Sequence, residues 1–211
     1  MKKKLIFSAA LVFSLGLAGC GNDSNKDEKP KGDSAKQETP VSTDKKDDDK
    51  KANVEEHEEG DAIEVYSDDE LGISGQSGPM KYSIDQVYLR KVIPKTQEVA
   101  DVLGVGIGEE AHTIAIHMSG ENTSTEDIDF FLANAVIITN TKEQLEPDMR
   151  FSKGLEMEYL GQVKREGYNA YILKDSKLED LKTITIRIDG PVNSKLDKQG
   201  EDITQTIEVN K

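Results

Sequence analysis

The stretch Thr183-Ile184-Thr185-Ile186-Arg187-Ile188 decides the fold class, because β-branched side chains occupy almost every position in it. Its isoleucines alternate with other residues at a period of two, which is typical of a half-buried strand. The same alternation recurs along the chain on both sides of this stretch. The predicted apolar faces are Met80, Tyr82 and Ile84; Ile114, Ile116 and Met118; Leu155, Met157 and Tyr159; Tyr168, Ala170 and Ile172; and Ile203, Ile207 and Val209.

Local signals complete this pattern. After Ile84 the apolar phase shifts to Val87 and Leu89, which predicts a β-bulge. Residues 133–139 are apolar enough for a central strand, 141–144 mark a turn, and 97–103 suit a short helix. About seven or eight antiparallel strands without alternating helices indicate an all-β domain, an immunoglobulin-like β-sandwich over residues 62–211.

The N-terminus has the composition of an export signal. Lys2, Lys3 and Lys4 precede an uncharged apolar run over residues 5–19, and Leu17-Ala18-Gly19-Cys20 resembles the lipobox of bacterial lipoproteins. Fifteen helical residues rise roughly 22 Å, less than the ~30 Å hydrocarbon core, which favours a cleaved signal peptide over a membrane span. We therefore expect a signal peptide at residues 1–19 and a lipid anchor on Cys20, the single cysteine of the chain.

Charge separates the next segment from the predicted domain. Residues 21–61 carry 8 lysines against 14 acidic residues and no aromatic side chain, which predicts that residues 20–61 form a disordered linker. The whole chain has 27 basic and 41 acidic residues, a net charge of −14. This excess of acidic residues argues against a protein that binds nucleic acid through its charge, because phosphate groups attract basic residues. His57 lies among four glutamates of this linker, where we expect at most weak cation binding.

The string Thr113-Ile-Ala-Ile-His-Met-Ser-Gly-Glu-Asn122-Thr123-Ser124 resembles the strand followed by Asn-Thr-Ser in small lipoproteins that carry a DUF4352-type domain. Residues 154–188 are similar to the closing hairpin region of that family. The resemblance implies an immunoglobulin-like sandwich on a lipobox and linker in a Gram-positive bacterium, without established enzymatic activity. The chain departs from the pattern in a longer loop at 94–110, which contains Gly104, Gly106 and Gly108.

The sequence contains no strong motif for catalysis, nucleotide binding or metal binding. The spacing of Gly104, Gly106 and Gly108 is not that of a dinucleotide loop, and residues 72–78 do not form a G-x-S-x-G elbow but suit a turn-rich connection. His112 and His117 lie five positions apart on one predicted strand, so we expect them on opposite faces. The acidic loop at 121–129 lacks a calcium-binding motif, and whether it binds calcium is left open. Its acidic members are Glu121, Glu126, Asp127 and Asp129.

These patterns together predict a lipoprotein held at the extracytoplasmic face of the cell membrane by acyl chains on Cys20. We expect a non-catalytic binding or structural role at the cell envelope, with an envelope protein as a possible partner and no cofactor, metal or nucleic acid. The alternative is an envelope enzyme of the hydrolase type that uses His112 or His117 with carboxylates.

Overall fold

Alternating buried and exposed side chains build a series of strands between Asn53 and Val209, the residues that the computed structural model describes. The predicted signal peptide, Cys20 and most of the predicted linker lie outside these residues. The described strands are β1 (Asn53–Glu56), β2 (Gly60–Asp68), β3 (Ile73–Ser77), β4 (Met80–Pro94), β5 (Ala111–Asn122), β6 (Ile128–Asp129), β7 (Val136–Thr139), β8 (Gln144–Leu145), β9 (Glu158–Tyr159), β10 (Lys164–Ile172), β11 (Thr183–Ile188), β12 (Val192–Asn193) and β13 (Ile203–Glu208).

Three antiparallel sheets contain these strands. The larger sheet has the order β1-β2-β4-β5-β10, with β3 pairing with β4, and the second sheet has the order β13-β11-β7-β8. A small third sheet has the order β12-β6-β9. One hydrophobic cluster takes side chains from all three sheets, including Ile116 of β5, Ile186 of β11 and Tyr159 of β9, each fully buried. The all-β sandwich predicted from the sequence is confirmed.

Several local predictions are confirmed. Strand β11 spans Thr183–Ile188, and the helix α1 spans Gln97–Leu103. The side chain of Thr96 caps the first turn of α1, and Gly104 ends the helix with a left-handed φ of 72°. The pairing of β4 with β5 shifts register between Ile84 and Gln86, where the apolar phase predicts a bulge. No helix among residues 53–209 is long and apolar enough to cross a membrane.

The predicted face of β10 is wrong. Tyr168, Ala170 and Ile172 were expected inside, but the structure turns them outward and buries Asn169 and Tyr171 completely. Both buried side chains have a polar reason to point inward. Asn169 Nδ2 donates to the carbonyl of Leu132 (2.7 Å), and the Tyr171 hydroxyl donates to the carbonyl of Ala135 (2.8 Å). These bonds give hydrogen-bond donors to two backbone carbonyls in the buried segment before β7.

The segment around Ala135 also differs from its prediction. Instead of one strand over 133–139, a short 3₁₀ helix (Phe131–Asn134) precedes β7. The predicted alternation around Leu155 is likewise wrong at Met157, which is 43% exposed. Only Leu155 and Tyr159 of that set are buried, because the chain forms a strand of two residues there.

Two further segments are more regular than predicted. Residues 72–78 contain strand β3, which pairs with β4 across a tight turn at Gly78, where φ is 55°. Regular structure is also present before residue 62, because β1 and β2 form a hairpin that includes residues 53–61. The side chains of residues 54–56 are exposed, so this edge strand lacks the apolar pattern by which a strand is recognised. The predicted domain boundary therefore falls inside β2.

Candidate functional site

His112 and His117, either of which the hydrolase alternative would use, lie on opposite faces of one strand, as the sequence predicts. His112 and His117 both belong to β5, whose own backbone has no irregularity between them, so they project to opposite faces. His112 is close enough to Glu179 for an electrostatic interaction, whereas His117 lies beside Asp85.

Hydrogen bonds of Asn122 organise the acidic loop at 121–129. Asn122 is 1% exposed, its Oδ1 accepts from the backbone N–H of Ser124 (2.9 Å), and its Nδ2 donates to the carbonyl of Glu126 (2.7 Å). Asp127 Oδ1 accepts from the N–H of Gly161 (3.0 Å), which ties the loop to the β9–β10 connection. Among residues 53–209, no group of three carboxylates or histidines has the arrangement of a metal site.

The glycine and serine motifs have structural roles. Gly104 ends α1, and the N–H of Gly106 donates to Glu109 Oε2 (2.8 Å) within a local turn. Ser77 Oγ donates to the carbonyl of Glu201 (2.6 Å), so it fastens the β3–β4 turn to the loop before β13. None of these contacts forms a phosphate cradle or an activated nucleophile.

A row of aromatic rings occupies the face of the larger sheet that points away from the core. Tyr88 of β4, His117 of β5 and Tyr168 of β10 form this ring row. The centroids of His117 and Tyr168 are 4.7 Å apart, and those of Tyr88 and Tyr168 are 6.3 Å apart. Strand alternation places them there, because their neighbours Leu89 and Ile116 are buried on the opposite face. Tyr168 remains 37% exposed, so its ring is accessible to a ligand.

Polar side chains hold the two tyrosines in place. Gln86 Oε1 accepts a hydrogen bond from the Tyr168 hydroxyl (2.9 Å) and lies 3.2 Å from the Tyr88 hydroxyl oxygen. The Tyr88 hydroxyl donates its proton to Asp69 Oδ1 (2.6 Å). Burial and this bond to the carboxylate raise the pKa of Tyr88 well above its ordinary value. The phenol is therefore a neutral donor at physiological pH, and the ring row is preorganised.

Asp85 lies at the bulge of β4 and faces the histidine of the ring row. Its Oδ2 accepts from Ser83 Oγ (2.8 Å) and lies 3.5 Å from His117 Nδ1. That nitrogen is buried and has no hydrogen-bond partner among the described residues. The Asp85 side chain is 44% exposed, so its second oxygen can meet a ligand from solution.

Arg90 covers the other side of Tyr88. Its guanidinium carbon lies 4.9 Å from the centroid of the Tyr88 ring, a cation–π arrangement. Glu64 and Glu55 lie 3.8 and 4.0 Å from its nitrogens. Two carboxylates therefore lie near the single guanidinium of Arg90, so the net charge of this part of the face is negative.

A small apolar cavity continues the face beyond the ring row. Its volume is about 190 Å³, and its lining includes the aliphatic side chains of Ala62, Val92, Ala115, Ala170 and Ile172. Phe151 also lines it and is 40% exposed. We define the open face as the ring row with Asp69, Asp85, Gln86 and Arg90, together with this cavity.

Residues 148–153 place Phe151 beside the cavity. The N–H of Asp148 donates to the carbonyl of Ala170 (2.8 Å), and the N–H of Lys153 donates to the carbonyl of Tyr168 (2.9 Å). These bonds run along the outer edge of β10, so the backbone of that edge strand is covered by the loop. The same bonds fix Phe151 between them.

The outer face of the second sheet has a different character. Thr204 and Thr206 of β13 and Arg187 of β11 are exposed there, and Thr185 and Thr206 approach each other at 3.4 Å. No aromatic side chain belongs to the strands of this sheet. The two outer faces therefore differ in their capacity to bind a ligand.

A larger cavity of about 600 Å³ lies between the end of α1 and residues 144–150. Asp148 and Arg150 line it and form an ion pair with each other, the carboxylate oxygens accepting from Nε (3.0 Å) and Nη2. Hydrogen bonding to Arg150 lowers the pKa of Asp148. These charges already satisfy one another, which makes this cavity a weaker candidate than the open face.

Sequence reasoning identified His117 but missed the other members of the open face. The alternation of apolar residues assigns Tyr168 to the core. The sequence predicts the bulge before Gln86 and Tyr88, but not that both side chains then lie on the outer face. The available signal was that bulge, because the phase after it places Gln86, Tyr88 and Arg90 on the outer face.

Comparison with known proteins finds a lipoprotein. The chain is 30% identical over 113 residues to the SPbeta prophage-derived uncharacterized lipoprotein YonS of Bacillus subtilis (strain 168). The match covers 53% of this chain and 56% of that protein, so the chain spans about half the length of the curated relative that it matches. No family model matches the chain.

A solved structure from Listeria monocytogenes shares the fold. A functionally unknown protein from Listeria monocytogenes EGD-e superposes with a TM-score of 0.56 and 13% identity, over 72% of this chain and 89% of that one. The yjhA protein from Bacillus subtilis has a TM-score of 0.41 and 11% identity, over 67% of this chain and 99% of that one. The Listeria structure supports the β fold, and the chain is similar in sequence to a bacterial lipoprotein.

Proposed function

We propose that this protein is a lipid-anchored binding protein of the cell envelope that recognises its ligand through the open face of the larger sheet. The observation that carries this proposal is the ring row, in which hydrogen bonds hold the two tyrosines and the ring of Tyr168 is 37% exposed, because tyrosines with an accessible ring and a bonded hydroxyl are typical of recognition surfaces.

The anchor is argued from the N-terminal residues. Leu17-Ala18-Gly19-Cys20 provides a lipobox after a basic start and an apolar run, and the similarity to YonS supports a lipoprotein. Acyl chains contribute about 0.8 kcal/mol per buried methylene, so two or three of them on Cys20 hold a protein firmly at a membrane. The extracytoplasmic location, the Gram-positive host and the DUF4352-type relationship belong to this proposal.

Cell fractionation tests the anchor. Cys20→Ala removes the thiol that would carry the lipid, and we expect the variant to shift from the membrane fraction to the soluble or secreted fraction. A Ser24→Ala variant serves as a control and should sediment with membranes. Wild-type membrane association of Cys20→Ala would contradict the lipid anchor.

Site-specific photo-crosslinking in the native host tests the binding role. A p-benzoylphenylalanine residue in place of Ile172 lies at the cavity of the open face. The same residue in place of Thr206 lies on the outer face of the second sheet and is the matched control. We expect ultraviolet light to give a discrete adduct from position 172 alone. Equal adducts from both positions, or none from either, would contradict recognition through the open face.

One observation favours the alternative of an envelope hydrolase. His117 and Asp85 form the histidine–carboxylate pair that such an enzyme would use, with Nδ1 and Oδ2 3.5 Å apart. In a deletion strain with a measurable defect, a double variant His112→Ala/His117→Ala should then fail to restore function. Full complementation by this variant would contradict the hydrolase alternative.

A further inference from the structure

We propose that the ligand of the open face is an extended peptide segment that carries a lysine or arginine two positions from a small aliphatic residue. This inference rests on the proposed binding role and deepens it by naming the chemical class of the ligand. Three features of the open face lead to it: the spacing of its two parts, its charge, and a contact already present within the chain.

The spacing matches an extended peptide. Ala170 of the cavity and Tyr168 of the ring row are two positions apart on β10, and Ala115 and His117 have the same relation on β5. Two positions along a strand correspond to about 6.6–6.8 Å, which is also the repeat between same-face side chains of an extended peptide. A peptide that runs along these strands therefore places one side chain in the cavity and the next same-face side chain over the rings.

The cavity accepts an aliphatic side chain. Its 190 Å³ is several times the ~30 Å³ that one water molecule occupies in the liquid. Ala62, Ala115 and Ala170 provide short side chains beneath it, and Val92 and Ile172 provide apolar ones. Burying a small aliphatic side chain here removes apolar surface from water on both sides of the contact.

The charge favours a cation at the ring row. Asp85 and Asp69 lie at its two ends, and each has a carboxylate oxygen bound to a neutral hydroxyl rather than to a cation. Nearby Arg90 is already accompanied by Glu64 and Glu55. The open face therefore presents excess carboxylate to a ligand, and complementarity selects a positive partner over an anionic one.

Arg90 shows how this face holds a cation. Its guanidinium lies over the Tyr88 ring with two glutamates nearby. Tyr168 also has a partly exposed ring, and its neighbour His117 lies 3.5 Å from Asp85, but no lysine or arginine among residues 53–209 lies over the Tyr168 ring. A lysine or arginine of the peptide would occupy the equivalent place over Tyr168.

The test is an NMR titration of the ¹⁵N-labelled chain from residue 21 to 211, which contains every described residue and therefore the whole hydrophobic core. The probe is the peptide acetyl-Gly-Val-Ser-Lys-Ser-Val-Gly-amide, with valines two positions from the lysine in both directions. We expect amide shifts centred on Tyr88, His117 and Tyr168. A matched peptide with Glu in place of Lys should bind at least tenfold more weakly.

Four variants separate recognition from folding. Tyr168→Leu removes the ring and with it the cation–π contact, so we expect a roughly tenfold loss of affinity. Tyr168→Phe keeps the ring and should retain binding within about threefold. Asp85→Asn should weaken binding, whereas Glu208→Gln, which removes one negative charge from the second sheet, should not.

The outcomes are distinct. The peptide proposal would be overturned by equal binding of the Lys and Glu peptides, or by shifts centred on the larger cavity between α1 and residues 144–150. It would also be overturned if an oligosaccharide, chitotetraose, gave stronger shifts than the peptide. Absence of peptide binding together with a crosslinked adduct from position 172 would overturn the ligand class but leave the binding role standing. Absence of both would overturn the proposed function itself.

Discussion

Glu143 connects the turn between β7 and β8 to the loop after β10, and its replacement by glutamine gives a sharp test of the structure. The residue follows β7, and its carboxylate accepts backbone N–H bonds from the loop after β10. The distances are 2.6 Å from Lys174 and 3.3 Å from Asp175 to Oε1, and 3.0 Å from Ser176 to Oε2. Burial alone would raise the pKa of Glu143, but these bonds and the Ser176 hydroxyl outweigh it and lower the pKa.

The expected cost follows from these contacts. Hydrogen bonds to a charged group contribute about 1.5–3 kcal/mol each when buried, but Glu143 is only partly buried and water competes for it. We therefore expect Glu143→Gln to lower the free energy of unfolding by about 2 kcal/mol near pH 7. For a domain of this size, that corresponds to a fall in Tm of roughly 4–8 °C.

The pH dependence has a definite sign. A carboxyl whose pKa is lower in the folded state stabilises the fold above its unfolded pKa, and this contribution is lost as pH falls through the folded value. The Tm difference between wild type and Glu143→Gln should therefore be full at pH 6–7 and should shrink once the pH falls below the ordinary glutamate pKa of about 4.3.

Thermal unfolding followed by circular dichroism, from pH 7 down to pH 3.5, measures both quantities. Glu146→Gln is the control, because Glu146 is exposed three positions away and loses the same charge; its Tm should stay close to wild type. A Glu143→Gln variant with the stability of Glu146→Gln at pH 7, or a Tm difference that does not change with pH, would refute the contact between this turn and the loop after β10.

Three further substitutions test the core and the turns by thermal or denaturant unfolding. Tyr171→Phe leaves the buried carbonyl of Ala135 without its 2.8 Å donor and should cost about 1–3 kcal/mol; an unchanged stability would contradict that bond. Gly78→Ala should cost more than Gly104→Ala, because both have positive φ but only at Gly78 would the new Cβ collide with backbone, and the reverse order would contradict the turn. Ile186→Ala, in a fully buried position of a central strand, should cost about 2–5 kcal/mol, and a loss below ~1 kcal/mol would contradict its burial.

Periodicity predicted some elements well because their apolar residues face one core. In β11 and in Ile114 to Met118 of β5, every second side chain is buried, so the pattern follows directly from burial. In β10 the rule failed, because both faces carry large side chains and the inner face includes a buried Asn169. Which face of β10 is buried depends on the carbonyls of Leu132 and Ala135, which are distant from β10 in sequence.

The sequence by itself determined that this chain contains a strand-rich domain, that the apolar phase breaks near Asp85, and that the residues up to Cys20 resemble a lipobox. These properties reside in local composition and spacing. Only the tertiary structure decided that Tyr88, His117 and Tyr168 lie side by side. Their proximity depends on the register of three strands, which pairing across the sheet and one bulge determine, and no local pattern contains that information.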